Sequence, residues 1–106
     1  MVTPANSLEI LRQLAADERS CEFFQPVLAE LRRHGLDTDD LRKIIASELG
    51  EAHCFRSMPT KKYYPATMSD YYSYWIDTCG ARMFIKVLIS GQRLVVTSFK
   101  KDNRYG

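Results

Sequence analysis

The stretch Arg82-Met83-Phe84-Ile85-Lys86-Val87-Leu88-Ile89-Ser90-Gly91-Gln92-Arg93-Leu94-Val95-Val96-Thr97-Ser98-Phe99-Lys100-Lys101 decides the fold. Two runs rich in β-branched and aromatic residues flank a turn signal at Gly91, the pattern of a β-hairpin. Its register follows from its faces. A two-residue turn at Gly91-Gln92 pairs Phe84 with Phe99 and sets Lys86 beside Thr97, so each apolar set meets a poorer one. A three-residue loop, Gly91-Gln92-Arg93, pairs residue 90 with 94 and 84 with 100. Met83, Ile85, Val87, Ile89, Val95, Thr97 and Phe99 then share a core face, while Phe84, Lys86, Ser98 and Lys100 share the other. Side chains alternate strictly along a strand, so register is all-or-none, and the three-residue loop is expected.

Working outward, His53 to Met58 alternates loosely and stops at Pro59. Lys61-Lys62-Tyr63-Tyr64-Pro65 reads as a loop, and Met68 to Thr78, with Tyr71, Tyr72, Tyr74 and Trp75, reads as a strand. Before residue 53 the period is helical. Leu8, Leu11, Leu14 and Ala15 predict a helix over about 7–16, capped by Asn6 or Ser7, with Asp17 to Ser20 as a connection. A second helix starts near Gln25-Pro26, presents Val27, Leu28 and Leu31, and stops at Gly35. Asp37 or Thr38 caps a third, with Leu41, Ile44, Ile45 and Leu49 as its apolar stripe and Gly50 as its end. The expected architecture is one α+β domain. Its helical half, 1–52, packs on an antiparallel sheet of three to four strands over 53–101, followed by a short tail, 102–106.

With 106 residues, 45% hydrophobic and 26% charged, the composition is that of a single folded domain and not of a disordered chain. The N-terminal residues have neither a basic flank nor an uninterrupted apolar core, so no signal peptide is expected. No apolar run approaches the roughly 20 residues that cross a bilayer. Cys21, Cys54 and Cys79 are an odd number, far apart, which predicts reduced thiols and a cytoplasmic protein. The net charge of +2 hides an asymmetry. Residues 1–53 hold six Lys/Arg against ten Asp/Glu (−4), residues 54–80 three against two (+1), and residues 81–106 six against one (+5). A polyanion-binding surface is therefore expected on the strands.

No HExxH, paired CxxC, P-loop or dinucleotide fingerprint occurs, so neither a metal nor a cofactor is expected. A metal-free reaction on RNA suits the residues that are present. The ribose 2′-hydroxyl can attack the adjacent phosphorus if a protein orients it, moves two protons and stabilises the oxyanion with fixed cations. Arg56, Lys86 and Lys100 could supply the cations. His53 or a tyrosine could transfer protons, and Tyr71, Tyr72, Tyr74 or Trp75 could stack on splayed bases. Strand lysines are often merely solvated and aromatic clusters are often core. Two other readings therefore stand beside this one: a non-catalytic RNA-binding or regulatory module, and a protein-interaction domain using Leu88, Leu94 and Val96 as its patch.

Four motifs in order carry a family resemblance: Phe55-Arg56-Ser57-Met58-Pro59-Thr60, Ser69-Asp70-Tyr71-Tyr72, Phe84-Ile85-Lys86-Val87 and Ser98-Phe99-Lys100-Lys101. Over roughly residues 36–101 the chain resembles the MqsR family of bacterial toxins, which run F-Y-K-S-M-T-T, W-Q-D-V-Y, a Y-x-K strand and S-F-K-E. That resemblance implies a RelE-like fold and metal-independent endoribonuclease action on mRNA, free or on the ribosome. It also implies neutralisation by a cognate DNA-binding antitoxin. Lys100 matches the family's terminal-strand catalytic lysine, and Arg56 stands where the family has a second catalytic lysine. Ser69 replaces a functional glutamine, and Phe84 replaces a tyrosine, removing its hydroxyl. Catalysis is thus expected from Lys100, Arg56 and His53, and RNA contacts from Lys86, Ser98, Ser69, Phe84 and Tyr72.

Overall fold

Local sequence explains where each helix starts and stops. In the computed structural model, which describes residues 2–105, α1 spans Leu8–Ala15 and opens on Ser7, whose hydroxyl accepts from the Ile10 N–H. Helix α2, Gln25–Arg33, carries Pro26 in its first turn, where the missing N–H costs nothing. Helix α3, Thr38–Ser47, begins with a reciprocal capping box between Asp37 and Asp40. The strands are β1 (Cys21–Phe23), β2 (Cys54–Pro59), β3 (Met68–Ile76), β4 (Ala81–Ser90) and β5 (Arg93–Lys101).

The strands form one sheet in the order β1-β5-β4-β3-β2, and β1 runs parallel to β5 while the other pairs are antiparallel. The α+β layout with helices ahead of the main sheet is as expected. The expectation of three to four antiparallel strands is corrected to five in a mixed sheet. The extra strand, β1, is only three residues long, too short to show a period of two. Arg93 fastens it from the neighbouring strand by donating to the carbonyls of Arg19 at 3.0 Å and Cys21 at 3.3 Å.

The hairpin differs from expectation in an informative way. Ser90 pairs with Arg93, so the turn is the two-residue Gly91-Gln92, with Gly91 at φ 61° where a type II′ turn needs positive φ. Beyond Lys86 and Val87 the register shifts by one, with Val87 opposite Val96 and Lys86 opposite Ser98. Thr97 is the extra residue of a β-bulge. Phe84 therefore does pair with Lys100, but residue 90 does not pair with 94. Leu94 and Val96, with Met83, Ile85, Val87 and Phe99, belong to the core under the helices. Val95 is buried on the opposite face and Thr97 sits in the bulge, so neither takes the core position assigned to it by simple alternation. The alternative docking patch of Leu88, Leu94 and Val96 does not exist, because all three are fully buried.

Helices α1, α2 and α3 cover one face of the sheet through Leu11, Ala15, Val27, Leu31, Leu41, Ile44 and Ile45. On that face Asp70 is completely buried. Its carboxylate accepts from the backbone N–H groups of Ala5 at 2.9 Å and Asn6 at 2.8 Å, and from the Asn6 side chain at 2.9 Å. One charged group thereby ties the segment before α1 to the middle of the sheet. Burial raises the pKa of Cys21, Cys54 and Cys79, which are free thiols. None of the helices among the described residues is long and apolar enough to cross a membrane. Replacing Asp70 by Ala strands two amide donors at a buried site and should cost about 2–3 kcal/mol. Urea unfolding of Asp70→Ala beside the wild type measures this, and an unchanged midpoint would contradict the anchoring role.

Candidate functional site

The sheet face away from the helices is crossed at both ends and open in the middle. Strand pairing defines its rows. At the turn end, Met58, Ser69, Leu88, Val95 and Glu22 form one row across all five strands. The β2–β3 connection, residues 60–67, roofs it. The Tyr64 hydroxyl reaches Glu22 on β1 at 2.5 Å, and Ser69, Leu88 and Val95 beneath are no more than 1% exposed. Accepting that bond, the Glu22 carboxylate holds the Tyr64 phenol above its ordinary pKa.

At the other end the chain folds back after β5. Asp102 donates its N–H to the Arg82 carbonyl at 2.9 Å, and its side chain, 2% exposed, accepts from Ser73 Oγ at 2.5 Å. The guanidinium of Arg104 pairs with the Asp102 carboxylate at 2.9–3.0 Å and stacks 3.4 Å over the Phe55 ring. Arg104, against the penalty of burial and with help from Ser73, holds the Asp102 carboxyl well below the usual carboxylate range.

Between these covers lie two rows. The first runs Arg56, Tyr71, Lys86, Ser98 and the second runs Ser73, Phe84, Lys100. Phe55, Tyr71 and Phe84 form a ring cluster, with centroids 5.4 Å apart for Tyr71 and Phe84 and 5.9 Å for Phe55 and Phe84. Cations surround it. The Arg56 guanidinium is 5.7 Å and Lys86 Nζ 5.2 Å from the Tyr71 centroid, and Lys100 Nζ is 5.3 Å from that of Phe84. Among the described residues, none of the three forms an ion pair. A ring face holds a cation by about 0.5–1 kcal/mol at an exposed site, and it does so without neutralising the charge. The cations are thus positioned and still available to an anion.

Five expected residues meet on this open face: Arg56, Lys86, Lys100, Phe84 and Ser98. Three do not. The His53 ring packs edge-on against Tyr74 at 4.9 Å, and its Nδ1 accepts from the Gly50 N–H at 2.9 Å. Tyr74 pairs with Met83 in the core-facing row, so His53 stands on the helix side of the sheet. Tyr72 faces the core, fully buried, and burial raises its pKa strongly. Ser69 points to the open face but lies beneath the roof, where its Oγ is 2.8 Å from Thr60 Oγ1. The structure therefore brings none of Tyr72, Ser69 and His53 into the two cationic rows.

Tyr71, and not the expected RNA contact Tyr72, lies among the cations. Strand parity carried the signal, because Ser69 and Tyr71 share a face and Tyr72 cannot join them. Among the described residues no group of three or more His, Cys, Asp or Glu could hold a metal ion. No family model matches this chain, and no curated protein matches it.

The tail's attachment should depend on pH. Because the folded-state pKa of Asp102 is depressed, its contribution is complete above the ordinary carboxylate pKa of about 3.9 and fades as pH falls below that. At pH 7, Asp102→Asn should lose about 1–3 kcal/mol. The gap to the wild type should narrow by pH 3 in urea titrations. A gap that stays constant across that range would show that Asp102 is not held ionised by Arg104.

Proposed function

We propose that this chain is a metal-independent endoribonuclease acting on single-stranded mRNA, a toxin with a RelE-like fold resembling the MqsR family. The observation that supports the reading best is the Arg56–Tyr71–Lys86–Ser98 row with Lys100 beside it: three cations, without an ion pair among the described residues, over half-buried aromatic rings. Such a surface suits a flexible strand, whose phosphates seek fixed cations and whose unstacked bases seek aromatic faces. In the reaction, the ribose 2′-oxygen forms a bond to the adjacent phosphorus as the 2′ proton is removed. The bond from phosphorus to the 5′-oxygen breaks, and that oxygen takes up a proton. The products are a 2′,3′-cyclic phosphate and a 5′-hydroxyl, so atoms balance with no cofactor. Lys86, Lys100 and Arg56 stabilise the charge that accumulates on the phosphoryl oxygens. Tyr71, central in the row, is the proton-transfer group. A DNA-binding antitoxin would silence the toxin by masking this face.

A second reading, an RNA-binding module without cleavage, is favoured by two observations: His53 is on the opposite side of the sheet, and Phe84 brings no hydroxyl. One assay separates the two. End-labelled single-stranded RNA is incubated with purified protein in chelator. The enzyme should yield cyclic-phosphate ends, with Lys100→Ala and Lys86→Ala each losing about 100-fold or more in kcat/KM. Tyr71→Phe should lose cleavage by at least about 100-fold while RNA affinity stays within a few-fold. Tight binding by the wild type without product establishes the second reading, and no binding removes both.

A further inference from the structure

Beside the cationic row lies a cleft of about 410 Å³ whose lining includes Phe24, Tyr63, Lys61, Lys62, Arg56 and Lys86. Its volume falls within the roughly 300–1,000 Å³ of small-ligand sites. The walls differ chemically. One end has the rings of Phe24 and Tyr63, which meet edge-to-face at 5.8 Å and 87°. The lining also holds Arg56 and Lys86, the cations over the Tyr71 ring.

Tyr63 is unusual in two respects. It is 73% exposed, so no burial of its ring pays for its position. Its φ of 57° is left-handed, a conformation a bulky side chain rarely adopts. The loop that presents it is nevertheless fastened on both sides. Thr60 donates its N–H to the Thr67 carbonyl at 3.0 Å, and Thr67 Oγ1 lies 2.7 Å from the Tyr64 carbonyl and 2.8 Å from Thr60 Oγ1. With one proton per hydroxyl, Ser69 can donate to Thr60, Thr60 to Thr67, and Thr67 to the Tyr64 carbonyl. Tyr64 itself is bonded to Glu22 on the far strand. Tyr63 is therefore a ring held out over a cleft by a braced loop. Strain of this kind persists where surrounding contacts impose it, commonly at ligand sites.

We propose that this cleft is a nucleobase subsite: a single unstacked base of the bound RNA lies against Tyr63 and Phe24 while its own phosphate reaches Arg56 and Lys86. Lys61 and Lys62 extend the cationic track to the next phosphate. Stacking of this kind tolerates any base, so the subsite sets the path and reach of the strand and not its sequence. The inference rests on the RNA reading above but does not require cleavage.

The test uses a single-stranded RNA octamer carrying one 2-aminopurine and 2′-O-methyl riboses, which prevents the 2′-oxygen from attacking. Binding to the full chain should quench the 2-aminopurine fluorescence at one position of the label and not at others. Tyr63→Asn keeps the left-handed backbone, because asparagine tolerates it, but removes the ring. It should abolish the quenching and weaken affinity roughly 5- to 100-fold. Tyr63→Phe should behave as the wild type. Lys86→Ala should weaken affinity while leaving the quenching of the saturated complex intact. If the wild type binds with Lys86-dependent affinity and Tyr63→Asn matches it in affinity and quenching, the subsite is overturned and the RNA reading survives. If the wild type does not bind the octamer, both fall.

Discussion

The extra residue at Thr97 is the constraint on which the rest of this sheet depends. In β5 the large apolar side chains near the turn, Leu94 and Val96, occupy even positions, whereas Phe99 is odd and the polar pair Ser98 and Lys100 is even. A regular strand would turn either Leu94 and Val96 or Phe99 away from the helices. The bulge reverses the alternation between them, so all three reach the core and Ser98 and Lys100 emerge on the open face. It also sits beside Lys86, and the Thr97 hydroxyl approaches the Lys86 carbonyl at 3.5 Å. The β4–β5 part of the core and of the cationic rows is therefore specified by one local irregularity, and a second register shift, between Cys54 and Arg56, likewise sends Cys54 to the core and Arg56 to the open face.

This explains how far the fold could be read from residues alone. The three helices stood out because their stripes have period 3.6 and their ends carry Ser7, Pro26 and Asp37. The partnership of Phe84 with Lys100 was legible, since both faces of β4 are chemically distinct. The position of the additional residue was not, because Leu94, Val95 and Val96 are all apolar and alternation has nothing to grip there. Strand β1 escaped for a related reason: its pairing is with a strand some 70 residues away, and three residues hold no pattern. In the candidate site, Arg56, Lys86 and Lys100 were found through charge. Tyr71 and Tyr72 look alike in sequence until strand parity separates them. His53 lies apart because a short turn, Glu51–His53, directs its ring toward Tyr74 before β2 begins.

The two covers of the open face do different things with similar chemistry. At one end a carboxylate, Asp102, is matched by a guanidinium and a hydroxyl, so the tail adds little net charge to the surface. At the other, Glu22 accepts from an uncharged phenol and leaves Lys61 and Lys62 on the loop unmatched by it. Lys61 and Lys62 thus join Arg56 and Lys86 in lining the cleft at the roofed end.

Strand β1 has a consequence of another kind. It is the outermost strand on the β5 side, and beneath it lies the backbone of Leu94, Val95 and Val96, flanked by apolar side chains on both faces. Uncovered, that backbone would be a flat, greasy sheet edge, the template on which chains aggregate. Three residues from the N-terminal third close it, and their brevity leaves a newcomer little to pair with. The short strand that sequence patterning overlooks is the piece whose loss would lay this part of β5 bare to a second sheet.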